Sequence, residues 1–257
     1  MRPEQNEPKD TAADFVIGRH PAVAALRSQQ TINKVFLQSG LKAEAIDEIR
    51  QLARKRHLVI SEVPKQKLDQ LTDHQNHQGV ALGVAAFEYA SIDDLFAKAE
   101  AADEPPFFLI LDGVEDPHNL GSIMRTADAS GVHGIIIPKR RAVGLTSVVA
   151  KTSTGAIETV PVARVTNLVN TVKDLKERGL WIFGTDMAGT DYRDWNAKGA
   201  TGLIIGNEGK GISRLLKETV DETLTIPMVG SVQSLNASVA AGLLMYQGFN
   251  SRHPVQH

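Results

Sequence analysis

The chain has 257 residues, 42% of them hydrophobic and 23% charged, with a formal net charge of −2 and no cysteine. That length supports two domains or one large one, each with a real core, in a protein of ordinary globular composition. The missing cysteines exclude a disulfide framework, a thiolate metal site and a cysteine nucleophile, and the near-balanced charge gives no global signal for nucleic acid.

Residues 1–13 are polar, with Pro3 and Pro8, and read as a disordered tail. They contain no apolar export signal, and no run approaches the roughly eighteen apolar residues of a membrane span, which points to the cytoplasm and away from a membrane. Order is expected from Phe15. A strand at Phe15–Ile17, a helix over Pro21–Arg27, a strand at Lys34–Leu37 and a helix over Glu44–Arg56 come first. A strand at Leu58–Ile60, a short helix near Lys65–Leu71 and a strand over Gly79–Phe87 complete a compact α/β unit at residues 14–88. Ser91 to Pro106 reads as a capped, acidic helix ended by two prolines, the core of a linker at residues 89–106. Beyond it, strand candidates at 107–111, 134–138, 159–162, 180–184, 202–206 and 223–226 alternate with helical stretches. That pattern predicts a mostly parallel sheet with helices on both faces for residues 107–257.

Three stretches of this second region carry candidate chemistry. In Asp112–Gly131, a buried strand runs through a polar turn into a helix, with Asn119 as N-cap and Gly131 as stop. Leu120, Ile123, Met124 and Ala127 form the stripe that packs on the sheet, and Arg125 lies off it beside His118 and Ser122. The guanidinium thus projects beyond the carboxyl end of a strand, where ligands sit in open α/β sheets, unless it is a plain solvated arginine. In Thr201–Ser213 a glycine-rich turn follows a strand, yet matches neither standard phosphate loop, and Glu208 at its centre suits a neutral or cationic ligand better than a triphosphate. In Leu224–Tyr246 a strand ends at Pro227, and a helix capped near Ser234 carries Ala237, Ser238, Ala241 and Gly242, small enough for another backbone to approach within the fold or across an interface.

Of the basic clusters, Arg54–Arg56 reads as a solvated helix end, whereas Lys139–Arg141 emerges on the sheet edge of the 112–119 loop, where it could take phosphates. The eight histidines form no HExxH pair, and His74 and His77 fall in a polar stretch read as a loop, so no metal site is expected.

Together these stretches resemble the SpoU/TrmH family of RNA ribose 2′-O-methyltransferases in the SPOUT superfamily. Three signatures stand in order: Asp116-Pro-His-Asn-Leu-Gly-Ser-Ile-Met-Arg125, Leu203-Ile-Ile-Gly-Asn-Glu-Gly209, and Ile226-Pro-Met with Ser234-Leu-Asn-Ala-Ser238. The amino-terminal unit, with Ile17-Gly-Arg-His-Pro-Ala-Val-Ala-Ala-Leu26 and His77-Gln-Gly-Val-Ala81, resembles the small ribosomal-protein-L30e-like α/β RNA-binding domain of RlmB-type members. The resemblance implies a carboxy-terminal α/β methyltransferase domain with a deep trefoil knot, binding S-adenosylmethionine, in an obligate homodimer. Gly206, Ile226 and Leu235 become the cofactor contacts it implies, with Thr185 a weaker one.

The reaction so implied is methyl transfer to a ribose 2′-hydroxyl, with Arg125, Asn119, Glu208, Ser234 and Asn236 as its residues. The family proposal makes Arg125 the group that activates the hydroxyl. A guanidinium keeps its proton in proteins, so the preferred role here is to hold the adjacent phosphate and stabilise developing alkoxide charge. Glu208 and Asn119 would keep the geometry, and Ser234 and Asn236 would position arginine or ribose. The RlmB-like organisation suggests a guanosine of large-subunit (23S) rRNA, free or in a pre-ribosomal particle. Asn207, where close relatives often carry a small residue, and a near-neutral first domain are departures from that pattern. The alternatives are a tRNA ribose 2′-O-methyltransferase, disfavoured by the long first domain, and a catalytically silent RNA-binding ribosome-assembly factor, disfavoured by the intact Asn119, Arg125, Glu208 and Asn236. A small-molecule methyltransferase would leave the first domain without a role.

Overall fold

The computed structural model describes residues 15–41, 43–85, 87–231 and 234–255; residues 1–13, expected as a tail, lie outside the described residues. The chain divides into two units, Met1–Glu88 with Gly144–Val148, and Tyr89–Val143 with Val149–His257.

The first unit contains β1 (Phe15–Ile17), α1 (Arg19–Arg27), β2 (Ile32–Gln38), α2 (Glu44–Lys55), β3 (Ile60–Val63), α3 (Lys65–Leu71) and β4 (Val80–Val84). Its sheet has the order β1-β4-β2-β3, with β4 antiparallel to β1 and β2, and β2 parallel to β3. Helix α2 forms because Ile46, Ile49 and Ala53 recur at helical spacing and are buried, while Glu44 and Asp47 start it and Arg54 and Lys55 end it in the sense the helix dipole favours. The triplet at its end does more than face solvent. Arg56 donates from Nη1 to the carbonyls of Ala25 and Leu26 (both 3.2 Å) and from Nη2 to that of Gln30 (2.7 Å), satisfying the carboxyl end of α1 and the turn after it.

The second unit opens with α4 (Ile92–Ala101), expected as a linker helix. Ser91 and Asp94 make its capping box, and Leu95, fully buried, joins Phe108 and Ile136 in the core, so the helix is part of this unit. Then follow β5 (Phe107–Leu111), α5 (Pro117–Ala129), β6 (Gly134–Pro138), α6 (Ser147–Ser153), α7 (Ala156–Thr159), β7 (Val162–Val165), α8 (Leu168–Glu177), β8 (Trp181–Asp191), β9 (Thr201–Ile205), α9 (Arg214–Lys217), β10 (Glu222–Thr225) and α10 (Ala237–Arg252). The six strands are all parallel in the order β10-β8-β9-β5-β6-β7. Every residue of β5 and β9 is buried, the mark of a parallel sheet covered on both faces. Phe108, Ile110, Ile182 and Ile204 pack with Leu95 of α4 and Val172 and Leu175 of α8. The alternate residues are left to the face of α5 and α10, where Phe107 lies against Gly248.

Three strands depart from expectation, one of them in the first unit, where the strand predicted at Leu58–Ile60 runs over Ile60–Val63. The strand predicted at 159–162 begins at Val162, because Gly155, at φ +92°, starts the helical turn α7 that runs to Thr159. The strand predicted at 180–184 continues to Asp191, but its ladder with β10 jumps from Gly184 to Thr190, carrying residues 185–189 out of register.

Two consequences can be measured. A Cβ on Gly121 would lie 2.5 Å from Cβ of Thr152 and 3.2 Å from the backbone N of Ser153, so α5 and α6 meet only over glycine. Gly121→Ala is expected to lower stability by about 1–3 kcal/mol, read as a fall in the denaturant midpoint. His133 is 3% exposed, its Nδ1 accepts the N–H of Phe107 (3.1 Å), and burial pushes its pKa down, against the attraction of Glu104. The fold therefore prefers neutral imidazole, while the unfolded chain takes a proton below its ordinary value of 6.5. Stability from this group is present above that pH and declines as pH falls through it. His133→Gln is expected to flatten the dependence of the melting temperature between about pH 7 and pH 5.

Candidate active site

Because all six strands are parallel, their carboxyl ends share one edge. The chain winds from β5 to β6 and β7 on one side, while β8 and β10 lie beyond β9 on the other, so the winding reverses beside β5 and β9. Ligands of open α/β sheets sit outside the carboxyl ends at such a reversal. The three polar stretches singled out in the sequence follow β5, β9 and β10 there.

The turn after β9 is closed by paired backbone hydrogen bonds, Asn207 N to Gly211 O (3.0 Å) and Gly211 N to Asn207 O (2.8 Å). Gly206 must be glycine, since a Cβ would collide with the backbone of Gly211 and Ile212. Asn207 fastens this turn to the loop after β5. Its Nδ2 donates to Gly113 O (2.9 Å), and its Oδ1 accepts from the N–H of Gly209 (3.0 Å) and Lys210 (3.2 Å). Asp112 makes a second tie by accepting the N–H of Ser213 (2.7 Å). Neither role was legible in the sequence.

Glu208, at the top of the turn, joins the three stretches. Its Oε1 accepts from Nδ2 of Asn119 (2.8 Å), Nδ2 of Asn236 (2.7 Å) and the N–H of Ala237 (3.0 Å). Asn236 Nδ2 also reaches Oδ1 of Asn119 (3.0 Å). Asn236 is at the same time the N-cap of α10, its Oδ1 accepting from the N–H of Ser238 (3.0 Å) and Val239 (3.3 Å). The cap expected near Ser234 is thus two residues later. Likewise α5 is capped by Asp116, which accepts the N–H of His118 (2.8 Å) ahead of Pro117 in the first turn, and Asn119 is released from capping to meet Glu208.

The remaining candidates are placed differently. Arg125 is exposed on α5 and makes no hydrogen bond or ion pair among the described residues. Ser234 is exposed and is not part of the Glu208 network. Leu120, Ile123, Met124 and Ala127 are fully buried beneath that helix, as their spacing requires. Thr185 is half-buried and donates to Ile204 O (3.2 Å), which ties it to β9. Ile226 and Leu235 are half-buried, and Met228 and Val229 between them are exposed. Asp186 pairs with Lys217, which holds its carboxyl below the usual range. Pairing of β8 with β9 ends at Phe183 and Leu203, so Thr185, within β8, follows the point where that ladder opens, while Gly206 and Ile226 stand just past the ends of β9 and β10. Half-buried Ile226 and Leu235, with a glycine turn and the Glu208 carboxylate on neighbouring loops, suit a ligand with an apolar part and a positive centre better than a triphosphate. Among the described residues no three metal-ligating side chains gather into a site, and no helix is long and apolar enough to cross a membrane.

Comparison with known proteins bears on this arrangement. The SpoU rRNA methylase family matches residues 106–246, and the family described as RNA 2′-O ribose methyltransferase substrate binding matches residues 15–90. A Bacillus subtilis (strain 168) protein, YacO, whose name places it in the TrmH family of tRNA/rRNA methyltransferases, is 54% identical over 243 residues, covering 94% of this chain and 97% of its own. The crystal structure of the SpoU methyltransferase AviRb from Streptomyces viridochromogenes, solved with the cofactor S-adenosylmethionine, is similar with a TM-score of 0.58 at 26% identity, covering 93% of this chain and 90% of that one. A TrmH/SpoU tRNA-modifying enzyme of A. aeolicus is similar with a TM-score of 0.54 at 28% identity, over 63% of this chain and 83% of its own.

Proposed function

This chain belongs to the SpoU rRNA methylase family, the S-adenosylmethionine-dependent RNA ribose 2′-O-methyltransferases, and from that premise we propose that it methylates a guanosine 2′-hydroxyl of large-subunit rRNA at the Glu208–Asn119–Asn236 junction. The observation that carries the reading is the single carboxylate oxygen of Glu208, which fastens the loops after β5, β9 and β10 into one frame. S-adenosylmethionine supplies an electrophilic methyl group when bound. Gly206, Ile226 and Leu235 hold it at the opened strand ends, with Thr185 supporting the wall, and the knot that family likeness implies would thread this same region.

On α5, whose first turn carries Asn119, Arg125 is an exposed cation. It has no hydrogen-bond or ion-pair partner among the described residues to release, so its planar fork is available to the phosphate beside the target ribose. Holding that phosphate would set the 2′-oxygen in line for attack, and the positive charge would stabilise the developing alkoxide as the hydroxyl proton passes to solvent water. Asn119 and Asn236 keep the frame rigid, and Ser234, exposed beside Leu235, is within the loop that would meet the ribose. The exposed stripe Val239, Leu243 and Tyr246, at helical spacing along α10, together with a shallow cleft of about 370 Å³ that Leu243 and Tyr246 help to line, favours the homodimer. The cytoplasm, where rRNA is made and assembled, is the corresponding compartment.

The test is transfer of labelled methyl to unmodified large-subunit rRNA and to unmodified tRNA, each digested to nucleosides. Label recovered as 2′-O-methylguanosine from rRNA is the expected outcome. Label from tRNA alone would move the substrate to tRNA, and no label on either RNA would favour a silent assembly factor.

A further inference from the structure

The first unit carries a second polar concavity, about 390 Å³ in volume, between the start of α1, the start of α3 and the loop at 73–79. Three features set it apart from an ordinary surface dent. Its backbone is unusual: Asp73 (φ +50°), His74 (φ +59°) and Gln78 (φ +51°) are non-glycine residues in the left-handed region, a conformation kept where surrounding structure enforces it and concentrated at binding sites. Gly79, at φ +84°, holds a conformation that any other residue adopts only under strain.

The loop is also held rigidly. His77, 4% exposed, accepts the N–H of Gly79 on Nδ1 (2.9 Å), which leaves the proton on Nε2 to be donated to Asp69 (3.0 Å). Arg19 donates from its backbone N to the side chain of Gln78 (3.3 Å) and from Nε to the carbonyl of Gln78 (3.0 Å), so its two Nη groups remain for a ligand. Finally, the lining is an RNA-binding chemistry. Arg19 and Lys65 supply two cations, while Asp69, the one carboxylate of the lining, is engaged by His77. His74 offers an exposed ring, and the Asn76 amide makes no hydrogen bond among the described residues. Cations for a phosphate, a ring for stacking and an amide for a base edge are what recognise an unstacked nucleotide.

We propose that this cleft binds one unpaired nucleotide of the RNA substrate, with its phosphate on Arg19 and Lys65, its base stacked on His74 and its edge read by Asn76. It is an anchoring site on the substrate-binding unit, and rests on the RNA-methyltransferase reading above only for the identity of the RNA. The first unit's near-neutral charge is no obstacle, because two of its cations, Arg19 and Lys65, line this one cleft.

The experiment titrates the full chain with fluorescently labelled unmodified large-subunit rRNA and tRNA over a series of salt concentrations. Lys65→Ala is expected to weaken binding several-fold and to reduce the salt slope by about one, whereas Lys65→Arg restores both. His74→Asn removes the ring yet tolerates the left-handed backbone, and is expected to weaken binding about tenfold. In both variants the loss falls on KM for RNA, with the dissociation constant for S-adenosylmethionine unmoved and the melting temperature as a control for folding. Wild-type affinity and salt slope in both variants would overturn the cleft while leaving methyl transfer standing. Weakened binding by variants of a protein that methylates neither RNA would keep the cleft and overturn the enzymatic reading. Failure of the unaltered chain to bind either RNA would overturn the cleft.

Discussion

Arg125→Ala is expected to reduce methyl transfer by about 10²–10³-fold while the protein remains folded and keeps its affinity for S-adenosylmethionine. The separation of effects follows from the position of the residue. Arg125 is exposed on α5, away from the buried stripe of Leu120, Ile123, Met124 and Ala127, and has no hydrogen-bond or ion-pair partner among the described residues. Its truncation removes no hydrogen bond or ion pair among the described residues, so the change in stability is expected to stay within about 0.5 kcal/mol. On the proposed reading, what is lost is the charge that holds the substrate phosphate. Arg125→Lys refines the test, because lysine keeps the charge and abandons the planar fork. A large loss with lysine assigns the work to paired hydrogen bonds with phosphate, and near-wild-type rates across a pH series would discard any role that needs the fork.

Glu208→Ala should reduce kcat/KM by about 10²-fold, through displacement of the frame rather than loss of a reacting group. Its Oε1 accepts three hydrogen bonds, and without it Asn119, Asn236 and the Ala237 N–H have no common acceptor. Because the carboxylate is exposed, water replaces it at modest cost to stability, and the effect appears as misplacement of the three loops relative to one another. Asn119→Ala alone should show part of this loss. The double variant Asn119→Ala/Glu208→Ala should be little worse than Glu208→Ala, since the two residues act as one unit. Additive losses in that cycle would mean that Asn119 and Glu208 serve separate functions.

Much of the fold is legible in the sequence, and the exceptions share a cause. The alternation of short apolar runs with helical stretches located β5, β6 and β9 to within a residue, since strands buried on both faces leave an unbroken hydrophobic signal. The residues of the network came from the resemblance to the family signatures that contain them, and the structure brings Asn119, Glu208 and Asn236 together. What local reading assigned wrongly was their employment. Asn119 and Ser234 looked like helix caps because capping is the commonest local use of such side chains, but Asp116 with Pro117, and Asn236, take those positions. The Asp-Pro pair held that signal, and a good N-cap three residues later concealed it. Asn236 could not be seen to cap α10 and brace Glu208 together, because the second contact spans 28 residues. The same limit hid Asn207, whose bond to Gly113 spans 94 residues, and Arg56, which looked like a solvated helix end until α1 was placed beside it. The excursion at residues 185–189 depends on where β10 pairs, which no periodicity within β8 records.

The most direct measurement uses the chemistry of the product. Alkaline cleavage of RNA needs a free 2′-hydroxyl, so RNA labelled by the wild-type chain from S-adenosylmethionine should release its label in alkali-resistant dinucleotides. Parallel reactions with Arg125→Ala should contain almost none. Label released in mononucleotides, which marks methylation of a base, or equal labelling by Arg125→Ala, would contradict a ribose-directed transfer organised around that arginine.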